Sequence, residues 1–197
     1  MATKIIYMCA GIIVLNENNP QNPEILLGMS ARKPCWGGFG GHRQSHESWE
    51  EAAAREFYEE TMGCVDPFFG SSADGKDDIE GRIDKMVTFL MERKYVTCII
   101  NKTSWSESRY YVVPIATRCP DDCMNFSNRR QILRGAGGMV TSSYCGHYLE
   151  KRSIQWFSID KLMPNVFCTR DIRFQESFLC TLVSVMVFII KRRIRSD

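Results

Sequence analysis

Apolar and polar positions along this chain alternate in two distinct rhythms. The run Ile5 to Leu15 is followed by the turn-forming NENNPQNP and then by Glu24 to Met29, which predicts two strands of a hairpin-like unit. Two more runs, Tyr95 to Ile100 and Arg109 to Ala116, are rich in β-branched and aromatic residues and are joined by NKTSWSES, so they predict a second strand pair. Trp105 stands in that turn, either facing a substrate or anchoring the loop. Helical spacing appears in four places. Ser48 and Glu51 form a capping box that starts a helix, and Ala52, Ala53 and Ala54 propagate it. Ile79, Ile83, Met86, Val87, Leu90 and Met91 recur as the stripe of an amphipathic helix. Asn128 to Arg134 predicts a short helix ended by Gly135. Phe178 to Ile190 is a largely apolar run of 13 residues and predicts a terminal helix buried against the sheet or a partner subunit. Val65 to Asp78 and most of Cys119 to His147, rich in Gly and Ser, read as loop.

Composition narrows the class. With 197 residues and 44% hydrophobic content, the chain can bury one good core, so residues 1–197 are read as a single domain with insertions. A membrane span needs about 20 apolar residues, and extending the terminal run upstream brings in Arg170, Asp171, Arg173 and Glu176, so no membrane attachment is expected. Lys4 and the apolar run after it imitate a signal peptide but fit a first strand, which makes the expected location cytoplasmic. The nine cysteines are scattered singly, as reduced thiols would be. Cys119, Cys123, Cys145 and His147 can supply four zinc ligands, although their spacing fits no common finger. A net charge of +2 does not by itself imply nucleic-acid binding; the local basic cluster is Lys191, Arg192, Arg193 and Arg195.

The candidate chemistry lies on the capped helix. Glu56, Glu59 and Glu60 stand at i, i+3 and i+4, so three carboxylates share one face and repel unless something positive lies among them. Hard divalent cations such as Mg²⁺ take oxygen ligands of this kind. The competing reading is a solvated acidic face paired with Arg55 and nearby lysines.

The constellation around that face is larger. Gly41, Glu47, Arg55-Glu56, Phe57 and Glu59-Glu60 closely resemble the Nudix box, G-x5-E-x7-R-E-U-x-E-E-x-G-U with U apolar. Upstream, Trp36-Gly37 and Gly40-Gly41 are similar to the family's usual W-G-F-P-G-G approach. Gly38 and Phe39 depart from that pattern, and Met62 reads as an extra residue before Gly63, which puts the end of the helix in question and leaves the carboxylates in register.

The resemblance implies an α/β/α sandwich around a mixed sheet, with inserted helices at about 65–94 and 117–150 and a C-terminal helix. Ser153 to Leu162 resembles the family's last strand and the turn into the following helix. The implied reaction is hydrolysis of a nucleoside diphosphate linked to another moiety. Mg²⁺ or Mn²⁺ would be held by Glu56, Glu59 and Glu60, with Arg55 bracing a box glutamate, Glu47 assisting, and Glu56, Glu60 or Glu150 as general base. Gly40 and Gly41 let backbone approach the phosphates, and Trp36 and Trp105 are candidate substrate contacts. Substrates left open are a small nucleotide such as ADP-ribose or a dinucleoside polyphosphate, and 5′-capped RNA. The capped-RNA reading rests on the long insertions, an insertion-rich pattern similar to that of members from large DNA viruses, and on phosphate contacts from Arg129, Arg130, Arg134 and Lys191 to Arg195. A homodimer and an inactive nucleotide-binding or RNA-binding module also remain compatible with the sequence.

Overall fold

The structure, a computed structural model, describes residues 7–65, 67, 79–94, 96–115, 118–135, 149–169 and 172–196. Strand β1 (Tyr7–Asn16) is its axis. It runs parallel to β6 (Ser106–Ile115) over its full length, from Tyr7 opposite Ser106 to Asn16 opposite Ile115, and β6 pairs antiparallel with β5 (Thr97–Lys102). On its other edge β1 meets β2 (Glu24–Ser30) only at Leu15–Ile25 and Asn16–Glu24. The strands then part. β4 (Phe39–His42) takes over the edge of β1 from Cys9 to Ile12, while β3 (Trp36–Gly37) and β7 (Lys151–Ser158) flank β2. The expected hairpin of the first two strands is therefore a short contact that opens into a fork, and β4, which carries Gly40 and Gly41, fills the fork.

Alternation along β1 feeds two cores, because successive side chains point to opposite faces of a sheet. Ile12 and Val14 join Phe39, Ala52, Ala53, Ala54 and Phe57 beneath α1 (Trp49–Thr61). Ile13 and Leu15 join Phe157, Phe178, Leu182 and Met186 beneath the C-terminal helix, α5 (Glu176–Ser196). With both faces covered, β1 is apolar rather than alternating, as expected of a central parallel strand. The result is the α/β/α sandwich with a mixed sheet.

The outer helices follow the hydrophobic stripes. In α2 (Ile79–Glu92), Met86 and Leu90 are fully buried and Ile83 and Val87 pack beside them, whereas Met91 faces out. Phe178, Leu182, Val185, Met186 and Ile189 of α5 are buried on the sheet, so the terminal apolar run packs on this chain's own sheet. Among the described residues, no helix is long and apolar enough to cross a membrane. Helix α3 (Asp122–Gly135) starts six residues earlier than the sequence pattern suggests, because Phe126 anchors an additional N-terminal turn in the core. The last strand runs into α4 (Ile159–Pro164), capped by Ser158, whose hydroxyl accepts from the Lys161 N–H at 3.3 Å. A π-helical turn, Asn165–Thr169, follows.

Met62 is not an insertion in the helix. It is the C-cap of α1 in the left-handed conformation, φ 55°, where the box pattern places a glycine. Its N–H returns to Glu59 O at 3.1 Å and that of Gly63 to Tyr58 O at 3.0 Å, the paired closure of a Schellman-type end. A left-handed non-glycine residue costs roughly 1–2 kcal/mol. Complete burial of the Met62 side chain offsets that cost.

Candidate active site

Helix α1 is phased by its cap. Glu51 N–H donates to Ser48 Oγ at 3.1 Å and Ser48 N–H donates to Glu51 Oε2 at 2.6 Å. With the alanine face and Phe57 fixed against the sheet, the opposite edge carries Arg55, Glu56, Glu59 and Glu60 toward β4, whose Gly40 and Gly41 form the glycine turn of the box. Arg55 gathers the outer carboxylates. Its Nε and Nη2 reach Glu47 at 2.5 and 3.1 Å, and its Nη1 reaches Glu56 Oε1 at 2.8 Å and Glu59 Oε2 at 3.1 Å. Nη2 also donates to the His42 carbonyl at 3.2 Å, tying helix to turn. A planar guanidinium can hold these three carboxylates at once because its donors fan out in a fixed fork.

Glu60 faces inward and is treated differently. Its Oε2 accepts the Gly40 N–H at 2.8 Å, and its Oε1 lies 3.1 Å from Lys151 Nζ. Lys151 Nζ also donates to the Gly38 carbonyl at 2.9 Å. Both side chains are buried, at 5% and 4% exposure. Glu56 lies over the glycine turn: a Cβ built on Gly41 would stand 2.5 to 2.7 Å from all three atoms of its carboxylate. Gly40 is equally confined, but by backbone, with Ala10 O at 2.5 Å. The two glycines thus permit two close approaches, one of strand to strand and one of carboxylate to turn.

These surroundings push the carboxylates apart in acidity. Burial raises Glu60 to about 7, against the pull of Lys151 and the Gly40 N–H. Burial also raises Glu56, with Arg55 opposing and the charges of Glu59 and Glu150 adding. Glu47 is held below the ordinary carboxylate range: burial would raise it, but the bonds from Arg55 and the Gln44 N–H prevail. Arg55 stays protonated, since its bond to Glu47 and the charges of Glu56 and Glu59 overcome the effect of burial.

The structure brings together Glu47, Arg55, Glu56, Glu59, Glu60, Gly40 and Gly41, and Glu150, at the head of β7, is close enough for its charge to act on Glu56. The acidic face is paired with Arg55, as the competing reading expects, but it is largely withdrawn from solvent and its lysine partner is the buried Lys151 rather than a surface one. Two residues of this neighbourhood escape a reading of the sequence. Cys9, opposite His42 in the sheet, has its thiol pushed up by burial and by the Glu56 charge, and Lys151 has no local motif to mark it. The two tryptophans do not join the cluster. Trp36 packs edge-on against Phe157 at 4.8 Å in the second core, and Trp105 is exposed at the β5–β6 hairpin tip.

Of the basic groups expected to track RNA, Arg130 packs behind the cluster, whereas Arg192 and Arg193 lie away from it. Arg130 is buried and its Nε donates to the Lys151 carbonyl at 2.8 Å. Arg192 and Arg193 pair with Glu17 and Asp160 and line a cleft with Gln21 and Ile189 that shares no residue with the carboxylates. Of the four candidate zinc ligands, Cys145 and His147 lie outside the described residues, and Cys119 and Cys123 are in no disulfide. Among the described residues, no three acidic, histidine or cysteine side chains converge on one point as they stand, because Glu47, Glu56 and Glu59 turn to Arg55 and Glu60 to Lys151. The donor set is all oxygen, which fits a hard divalent cation.

Comparison with known proteins gives a consistent result. The family model described as NUDIX domain matches residues 8–104. No curated protein matches the chain. Among solved structures, the chain is similar to a NUDIX hydrolase from Alicyclobacillus acidocaldarius, with 11% identity, TM-score 0.50, and 94% of this chain and 93% of that one covered. It is also similar to a bifunctional NMN adenylyltransferase/ADP ribose pyrophosphatase from Francisella tularensis, with 12% identity, TM-score 0.50, and coverage of 95% and 42%. A MutT/nudix family protein from Enterococcus faecalis is similar at 13% identity and TM-score 0.42, with coverage of 80% and 46%. The chain spans less than half the length of the last two.

Proposed function

We propose, from the premise that residues 8–104 of this chain are a NUDIX domain, that the protein is a divalent-metal-dependent pyrophosphohydrolase acting on a nucleoside diphosphate linked to a second moiety. The observation that carries this reading is the Arg55 fork, which holds Glu47, Glu56 and Glu59 around one guanidinium beside the Gly40–Gly41 turn, with Glu60 packed beneath. Glu56, Glu59 and Glu60 would hold Mg²⁺ or Mn²⁺. When bound, the ion neutralises diphosphate oxygens, acidifies a water and stabilises charge developing in an in-line displacement.

The chain's own residues supply the rest. Arg55 sets the spacing of Glu56 and Glu59, since both lie about 3 Å from the same Nη1. Glu47, kept ionised, locks the guanidinium in that orientation. Glu56 is the candidate base, because its acidity is already weakened by burial while it stays at the mouth of the turn. Glu150 adds negative charge nearby and so favours proton uptake by Glu56. Glu60 holds Gly40 from below. A small nucleotide such as ADP-ribose or a dinucleoside polyphosphate is favoured over capped RNA, because Arg130 is committed to the Lys151 carbonyl and Arg192 and Arg193 to Glu17 and Asp160.

The test is hydrolysis by the purified chain, with Mg²⁺ and with Mn²⁺, of ADP-ribose, diadenosine polyphosphates, nucleoside triphosphates and capped RNA. Release of a nucleoside monophosphate from one of the first two, lost in Glu56→Gln, is expected. Faster release of capped nucleotide from RNA would replace the small-nucleotide reading with decapping. Binding without turnover of any of the four would leave an inactive nucleotide-binding module.

A further inference from the structure

The carboxylate cluster contains a second cation besides Arg55. Lys151, the first residue of β7, sends its side chain inward, and its Nζ bridges Glu60 Oε1 at 3.1 Å and the Gly38 carbonyl at 2.9 Å. The path of the side chain is built by residues from four other elements. Gly28 on β2 leaves room for the stem: a Cβ there would stand 2.8 Å from Lys151 Cδ and 3.0 Å from Cγ. The Phe39 ring lies 5.9 Å from the ammonium, and Arg130 of α3 fixes the Lys151 carbonyl from outside at 2.8 Å. A lysine is almost never buried this completely without a partner, and here the partner is a box carboxylate equally out of water.

We propose that Lys151 is a positioning residue that serves as the resident cation of this site, compensating Glu60 when no metal is bound and sharing that carboxylate with the metal when one is. The inference rests on the metal-binding reading of Glu56, Glu59 and Glu60. Both Glu60 oxygens are already engaged, Oε2 by the Gly40 N–H and Oε1 by Lys151, so the carboxylate is aimed before any ion arrives. Each oxygen retains a free lone pair for a further ligand. The glycine turn is tied to the same ammonium through Gly38, so turn and helix keep their spacing in the metal-free protein.

The test compares wild type, Lys151→Met and the double variant Lys151→Met/Glu60→Gln by thermal unfolding at pH 8, in EDTA and in saturating Mn²⁺, with Mn²⁺ binding followed directly by electron paramagnetic resonance. Lys151→Met leaves a buried carboxylate uncompensated, so its Tm in EDTA is expected to fall by roughly 10 °C. Mn²⁺ should restore most of that loss, giving the variant a larger Mn²⁺ shift than wild type. The double variant, with no charge left to compensate, should recover stability in EDTA. A Lys151→Met loss of equal size with and without Mn²⁺, and no recovery in the double variant, would reduce Lys151 to packing and overturn the inference. If Lys151→Met fails to fold in EDTA, folding on addition of Mn²⁺ supports the inference, and failure of both variants under both conditions overturns it. Absence of any Mn²⁺ shift or binding in wild type would remove the metal site itself, and the inference with it.

Discussion

Adjacent glycines of the turn should fail in opposite ways when a methyl group is added, and Gly41→Ala is the sharper case. Its Cβ would stand 2.5 Å from Glu56 Oε2, 2.6 Å from Cδ and 2.7 Å from Oε1, where ordinary contact begins at 3.4 Å. The obstacle is the end of a side chain, so the fold can yield: the carboxylate withdraws by about 0.7–0.9 Å, at a cost of about 1 kcal/mol in off-rotamer strain. That withdrawal pulls Glu56 away from Arg55 Nη1 and from its place beside Glu59. A displacement near 1 Å of a catalytic group costs about 100-fold in rate, or about 2.7 kcal/mol of barrier. The expected result is kcat reduced about 100-fold on whichever nucleotide the panel identifies, with Tm lowered by no more than about 4 °C. Gly40→Ala is the control. Its Cβ would meet Ala10 O at 2.5 Å and Gly11 Cα at 2.7 Å, backbone on both counts, so it should lose stability by about 1–3 kcal/mol or more from overpacking. Scanning calorimetry and steady-state kinetics on both variants decide the matter. A folded Gly41→Ala enzyme turning over within about threefold of wild type would show that Glu56 does not need the position it holds.

Arg55→Lys should keep the charge yet lose the fork, because one ammonium cannot hold Glu47 twice while spacing Glu56 and Glu59; a fall in kcat of about tenfold or more is expected, and unchanged kinetics would discount the bracing role. Ser48→Ala removes half of the capping box and should cost about 1 kcal/mol, seen as a Tm loss of about 2–4 °C with kcat intact. Glu56 and Glu60 are raised above their ordinary value of 4.5, so the folded protein binds more protons than the unfolded chain and metal-free stability should fall as pH rises from about 4.5 toward 7. Over the same interval a divalent ion must displace those protons, so Mn²⁺ affinity measured by titration calorimetry should rise with pH; an affinity flat from pH 5 to 8 would contradict the assignment of Glu60 as a ligand.

How much of this was legible in the chain depends on the range of each interaction. The capping box, the carboxylate face and the amphipathic stripes are set by neighbours within four residues, and each was readable from spacing alone. The division of labour among the carboxylates was not. Spacing at i, i+3 and i+4 places Glu56, Glu59 and Glu60 within about 100° of arc, but which edge of that arc turns inward depends on how α1 docks on β4. The helix docks with Glu60 beneath the Gly40 N–H and Glu59 toward Arg55. Lys151 is separated from its acceptor Gly38 by 113 positions, and nothing near Lys151 distinguishes it from a surface lysine at the start of a strand. Trp36 illustrates the converse case. Its place beside the glycine turn suggests a substrate contact, yet alternation in β3 sends it to the second core, where Phe157 receives its edge.

The same geometry bears on the size of the substrate. Helix α5 begins under the active-site turn, where Phe178 would be touched by a Cβ on Gly38 at 2.6 Å, and it ends at Arg192 and Arg193. Fourteen residues separate Phe178 from Arg192, which at 1.5 Å per residue is about 21 Å of helix. The basic cluster that invites an RNA reading in the linear sequence therefore sits at the opposite end of the sheet, beside the Asn16 end of β1, with Arg192 on Glu17 and Arg193 on Asp160. At the carboxylates the cations are Arg55 and Lys151, each engaged with box carboxylates and with a backbone carbonyl, His42 for the one and Gly38 for the other. Under the proposed reading a short polyphosphate at the carboxylates takes no contact from that basic cluster, whereas a long anionic strand, for which distributed phosphate contacts dominate affinity, would have to span the distance between them.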